Sequence, residues 1–90
     1  MEKNCNWEPL SENLASEGVF SCPIVREKGF SISQLKLLPG AEIYNHPHLD
    51  DCEWYLNEDT GETFYCPKGA SHSFRNDTDN IIHLISLKSK

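Results

Sequence analysis

Apolar residues in this chain recur in short alternating runs, broken every few positions by turn formers. That rhythm predicts strands, because strand side chains repeat with period two and no stretch sustains a helical period. Residues 1–17 are polar and read as an irregular segment. Within it Trp7 and Leu10 are placed to pack on the domain, and Ser11 to Ala15 suits a single helical turn. From Gly18 the pattern changes. Val19, Phe20, Ile24 and Val25 flank Pro23, which cannot donate to a central ladder, so an interrupted edge strand is predicted. In the next strand, over residues 30–38, Phe30 and Ile32 share one face while Leu35 and Leu37 share the other. That shift predicts either a bulge near Gln34 or a strand buried on both faces. Further strands are predicted over 41–48, 53–56, 62–66, 71–75 and 81–87. The breaks between them carry turn residues, among them Glu27-Lys28-Gly29, Pro39-Gly40, Asn57 to Gly61, Pro67-Lys68-Gly69 and Asn76 to Asn80. The sum is an all-β sandwich or barrel, with residues 18–90 as its single domain.

Composition narrows the picture. A chain of 90 residues with 38% hydrophobic content supplies one small core. A domain of that size buries only about two-thirds of its unfolded surface, so a bound metal or a second copy of the chain would add needed stability. Eight Lys+Arg against 14 Asp+Glu give a net charge of −6. Neither nucleic acid nor an anionic membrane surface is an expected partner of such a chain. No apolar run approaches the roughly 20 residues of a membrane span. Residues 1–13 hold no apolar stretch of a secretion signal. Cys5, Cys22, Cys52 and Cys66 are therefore read as reduced thiols of a cytoplasmic protein, and without a C-x-x-C pair they do not suggest a zinc ribbon.

The chemistry concentrates between Gly40 and Asn76. His46 and His48 are two apart on a predicted strand, so they share a face. Glu53 follows five positions on, and the turn Pro67-Lys68-Gly69 delivers a third histidine, His72. An H-x-H pair alone says little, since strand histidines are often merely exposed. Three imidazoles with a carboxylate make a nitrogen/oxygen set suited to a divalent transition metal.

The same stretch resembles the cupin superfamily, whose two motifs are commonly written G-x5-H-x-H-x3,4-E-x6-G and G-x5-P-x-G-x2-H-x3-N. Gly40, His46, His48 and Glu53 fit the first; Gly61, Pro67, Gly69, His72 and Asn76 fit every fixed position of the second. The closing glycine of the first motif falls one residue late, at Gly61, and only residues 54–60 separate the two motifs. The resemblance implies a small jelly-roll barrel, a double-stranded β-helix with a shortened connection between its motifs. It implies that one rim of the barrel is trimmed, opening one side of the mouth.

On that reading His46, His48, Glu53 and His72 form the metal's ligands and leave two cis positions of an octahedron open. Iron, manganese, nickel, cobalt and zinc all suit the set. Tyr44, taken to share the face of His46, and Tyr55, taken to share that of Glu53, are the candidates for a general acid or base. Asp50 and Asp51 read as solvated loop charge, with a hydrogen bond to a ligating imidazole as the alternative. Arg26, Lys28, Lys36 and Arg75 read as solvated surface, His83 as an ordinary strand residue, and Asn76 as the brace of a loop. The resemblance implies a metal-dependent enzyme acting on a small polar molecule as an isomerase, lyase, decarboxylase or dioxygenase. The alternative is a non-catalytic ligand-binding or sensing module. A homodimer is expected, meeting along the edge Val19 to Val25.

Overall fold

The computed structural model describes residues 5–90; residues 1–4 of the segment expected to be irregular lie outside it. The elements are β1 (Glu8–Pro9), β2 (Val19–Glu27), β3 (Phe30–Leu37), β4 (Glu42–Pro47), β5 (Cys52–Asn57), β6 (Thr63–Cys66), β7 (Ser71–Arg75) and β8 (Ile82–Ser89). Every strand pairing is antiparallel. One sheet has the order β1-β2-β3-β8-β5-β6, and β4 pairs with β7 in a second, narrower sheet. The two close over a core of Val19, Leu35, Leu37, Ala41, Ile43 and Leu84. This is a small jelly roll, all-β as the pattern predicts and the barrel that the resemblance implies.

Residues 8–17, ahead of Gly18, are part of that barrel. Ser11 turns the chain once, its carbonyl accepting from the amides of Leu14 (2.9 Å) and Ala15 (3.1 Å). Ala15 then bridges to Ile43 and is buried in the core. The amide of Tyr44 donates to the carbonyl of Leu14 at 2.8 Å, so the segment runs beside β4 at this point. Its polar composition hid this role, because the contact is made by backbone groups and one alanine.

β3 stays in register with β8 along its whole length, so there is no bulge at Gln34. Burial on both faces, the alternative, holds only around Gln34; on the same outer face Ile32 is half-buried and Phe30 exposed. Leu35 and Leu37 point into the barrel, while Gln34, on the outer face, is buried beneath the N-terminal segment and the β5–β6 turn. Its amide donates to Glu58 Oε1 at 2.8 Å. The irregularities lie elsewhere. In β2, Pro23 pairs with Ser33 and Val25 with Ile32, so Ile24 is the extra residue of a bulge. In β4, Ile43 pairs with Phe74 and His46 with His72, so three steps on β4 match two on β7.

The shortened connection between the motifs is a tight turn. Asn57 Oδ1 accepts from the amides of Asp59 (2.9 Å) and Thr60 (3.3 Å), and its carbonyl takes the amide of Gly61 at 2.8 Å. Gly61 sits at φ 80°, a conformation that a side chain would strain. This turn packs at the closed end of the barrel, where the amide of Glu58 donates to the carbonyl of His83. It does not border the main cavity, contrary to the expectation of a widened mouth; a cleft of about 210 Å³ opens instead between β6 and β7.

Candidate metal centre

Three strands bring the ligand set together. β4 supplies His46 and its end supplies His48; β5 supplies Glu53; β7 supplies His72, paired directly opposite His46. The turn ahead of β7 is pinned to the first motif: the amide of Gly69 donates to the carbonyl of His48 at 2.6 Å, and the amide of His48 to the carbonyl of Ala70 at 2.9 Å. Gly69 holds φ 87° there, so a residue with a side chain would shift the strand that carries His72. Asn76 braces the other end of β7. Its side-chain amide donates to the carbonyls of Leu37 (3.0 Å) and Asn80 (2.8 Å), and its Oδ1 accepts from Thr78.

One potential ligand atom from each of His46, His48, Glu53 and His72 lies within 4.8 Å of the others. Nδ1 of His46 is 2.8 Å from the carbonyl of Tyr44, and Nδ1 of His48 is 2.8 Å from Oδ1 of Asp51. Both partners only accept, so each Nδ1 carries the proton and each Nε2 turns a lone pair inward. Nε2 of His72 stands 2.9 Å from that of His48 and 3.1 Å from that of His46. Oε1 of Glu53 lies 2.9 Å from Nε2 of His48 and 3.1 Å from Nε2 of His72. Glu53 is 2% exposed, and this oxygen makes no hydrogen bond of acceptable geometry. The other, Oε2, accepts from Ser86 Oγ.

Facing lone pairs of three imidazoles and a carboxylate repel one another unless a proton or a cation lies among them. A cation relieves all of them. Donors at adjacent corners of an octahedron with bonds of about 2.1 Å stand about 3.0 Å apart, which the separations from His72 and Glu53, 2.9 and 3.1 Å, match. The residues therefore fit a divalent metal, and the cluster could hold one. Burial pushes the His72 imidazole below its ordinary value, reinforced by His46 and His48 and opposed by Glu53, which favours the neutral form a metal needs.

Around the cluster, Tyr55 shares the inward face of Glu53 and its ring lies 5.1 Å from that of His72. Burial, first, and the Glu53 carboxylate push its phenol far above the ordinary value. Tyr44 does not share the face of His46. The bulge in β4 inserts one residue between them, and because strand faces alternate, Tyr44 points outward, 39% exposed. Asp51, read from sequence as solvated charge, is the hydrogen-bond acceptor that orients His48. Arg26, read as solvated surface, lines the cavity of about 550 Å³ above the cluster, and Lys88, not singled out from sequence, lines it too. Cys66 is a buried packing residue on the inward face, and the structure contains no disulfide among the described residues. His83 is an ordinary residue of β8, as expected.

No protein-family model and no curated protein matches the chain. Solved structures do. A predicted oxalate decarboxylase from Thermotoga maritima superposes with a TM-score of 0.84 at 17% identity, covering 99% of this chain and 96% of the other. An RmlC-like cupin from Shewanella frigidimarina gives 0.74 at 14% identity, over 99% and 86%. A sugar phosphate isomerase of the cupin superfamily from Silicibacter pomeroyi gives 0.75 at 16% identity, over 98% and 73%. The chain has the fold of these cupin structures, and His46, His48, Glu53 and His72 of the two motifs come together in it.

Proposed function

We propose that this protein is a metal-dependent enzyme acting on a small polar metabolite, with His46, His48, Glu53 and His72 as the metal ligands. The observation that carries the reading is the convergence of three imidazole nitrogens on a buried carboxylate oxygen that has no hydrogen bond. A metal held there would act as a Lewis acid on substrate oxygens or as a centre for oxygen chemistry. The chain's own part is to hold the ligands oriented. Asp51 fixes the His48 ring, Ser86 fixes Glu53, and Tyr55 remains a protonated phenol able to donate to a substrate oxygen. Isomerase, lyase, decarboxylase and dioxygenase chemistry all suit such a site, and the similar folds include proteins described as a predicted oxalate decarboxylase and a sugar phosphate isomerase.

The test is elemental analysis of the purified protein, followed by Co(II) substitution and a screen of small hydroxy and keto acids for spectral change and turnover. Turnover lost in Glu53→Ala supports the enzyme. Tight binding without turnover favours the ligand-sensing module instead. Absence of any bound transition metal, in protein that also refuses Co(II), would sink both. A cytoplasmic location and a homodimer complete the proposal. The dimer is supported by the outer face of the large sheet, where Ile24, Phe30, Trp54, Leu56 and Tyr65 are exposed, and by the second half of β2, whose far side has no strand beyond Ser21 among the described residues. No helix among the described residues is long and apolar enough to cross a membrane.

A further inference from the structure

The inward-facing positions of the large sheet change character along the barrel. At the closed end they are Val19, Leu37 and Ile82, then Leu35 and Leu84. Toward the open end they become Ser33 and Ser86, and then a cross-strand row of Arg26, Ser31, Lys88 and Glu53, each paired with the next. A barrel this small would gain stability by continuing the apolar packing. It instead lines an open cavity of about 550 Å³ with hydroxyls and two cations. The hydroxyls of Ser21, Ser31 and Ser33 line it without a hydrogen bond among the described residues.

Arg26 reaches this row only because of the bulge at Ile24. Pro23, opposite Ser33, faces inward, and regular alternation would turn Arg26 outward, three residues on. The extra residue reverses the phase and aims the guanidinium into the cavity. Arg26 on β2 and Lys88 on β8 then flank Ser31 on β3, their backbones two strand steps apart, about 10 Å. Both side chains are long enough to close on one group between them. Neither makes an ion pair among the described residues, and the carboxylate paired opposite Lys88, that of Glu53, is turned to the histidine cluster. The acidic residues of the mouth, Asp50 and Asp51, belong to the loop after β4, and Asp51 is engaged by His48.

We infer that Arg26 and Lys88 form an anion-binding pole at the open end of the cavity, and that the ligand carries a carboxylate or phosphate at the end remote from the oxygens that meet the His/Glu cluster. The inference rests on the metal-centre reading for the near end of the ligand only. A forked guanidinium beside an ammonium and a hydroxyl suits the planar or tetrahedral oxygens of either anion.

Three 2-hydroxy acids test it on the Co(II)-loaded protein: lactate, with no remote anion, malate, with a remote carboxylate, and 3-phosphoglycerate, with a remote phosphate. Malate or 3-phosphoglycerate should bind at least about tenfold more tightly than lactate, as expected for charge-assisted hydrogen bonds. Arg26→Gln with Lys88→Gln should erase that advantage and leave the Co(II) spectrum and lactate affinity unchanged. Which of the two anions gains more identifies the source of the charge. Equal affinities in the wild type, or an advantage that survives the double substitution, would overturn the inference. A second arm needs no metal: malate and inorganic phosphate titrated into the metal-free protein should shift the NMR signals of Arg26, Ser31 and Lys88, and not in the double variant. If Co(II) fails to bind while these shifts appear, the metal-centre reading falls and the anion pole stands; if the shifts are absent, the anion pole falls.

Discussion

Asp51 Oδ1 accepts a hydrogen bond from His48 Nδ1 at 2.8 Å, and this contact decides which nitrogen of His48 faces Glu53. The loop that separates the two residues is short, so Asp51 is delivered by the same turn that ends β4. Asp51→Asn keeps the size of the side chain but removes the charge that favours the Nδ1 proton. Metal affinity should fall about 10- to 100-fold, the usual consequence of losing such a partner. Competition with a chromophoric chelator measures it, and an affinity within twofold of wild type would count against the role given to Asp51.

Bound metal should stabilise the fold. At a free-metal concentration about 100 times Kd the gain is about 2.7 kcal/mol. For a domain of this size that corresponds to a rise in Tm of roughly 10–20 °C. Stripping metal from the loaded protein should reverse the rise, and His48→Ala should melt alike with and without chelator. An unchanged melting curve after metal is shown to have left would contradict this.

The Tyr55 phenol titrates far above its ordinary value in the folded protein, because burial and Glu53 both disfavour the phenolate. In the unfolded chain it ionises near pH 10. Its contribution to stability is therefore full below about pH 10 and is lost as pH rises beyond that point. Below the alkaline unfolding transition, Tyr55→Phe should leave the tyrosinate absorbance change unaltered. A drop by one tyrosine's absorbance in that variant would show that Tyr55 ionises in the folded state.

Asn76 is fully buried and serves the carbonyls of Leu37 and Asn80 as well as the backbone and hydroxyl of Thr78. Asn76→Ala leaves a buried carbonyl without its donor, so a loss of about 3 kcal/mol is expected. Denaturant unfolding should show a lower midpoint at constant m. Because Asn76 anchors the end of β7, Co(II) binding should weaken as well; a loss of stability with metal affinity intact would separate the brace from the site.

Sedimentation at micromolar concentration checks the proposed homodimer. Trp54 and Tyr65 stack with centroids 4.5 Å apart on the exposed sheet face. If that face carries the contact, Trp54→Glu should give a 10.3 kDa species; if the β2 edge carries it, the dimer should survive.

The ligand residues and the turns were legible in the chain because both depend on local rules. His46 and His48 share a face by alternation, Gly69 takes a backbone conformation that other residues resist, and the turn it closes leads directly into β7. The all-β class followed from the same period-two pattern. The role of residues 14 and 15 was not legible, since Ala15 and the Leu14 carbonyl act through contacts with β4, far along the chain.

By itself the sequence determined the inventory of the site: three histidines, one glutamate, and the turns that bring them round. The tertiary structure alone decided which neighbours join them. Tyr44 was placed beside His46 by counting residues, and one bulge in β4 turned it to solvent. Arg26 was read as surface, and one bulge in β2 turned it into the cavity. A strand's faces alternate with period two, so a single unpaired residue exchanges them for everything beyond it. Where that residue falls is set by register against a partner strand distant in sequence, and pairing of that kind exists only once the barrel has closed.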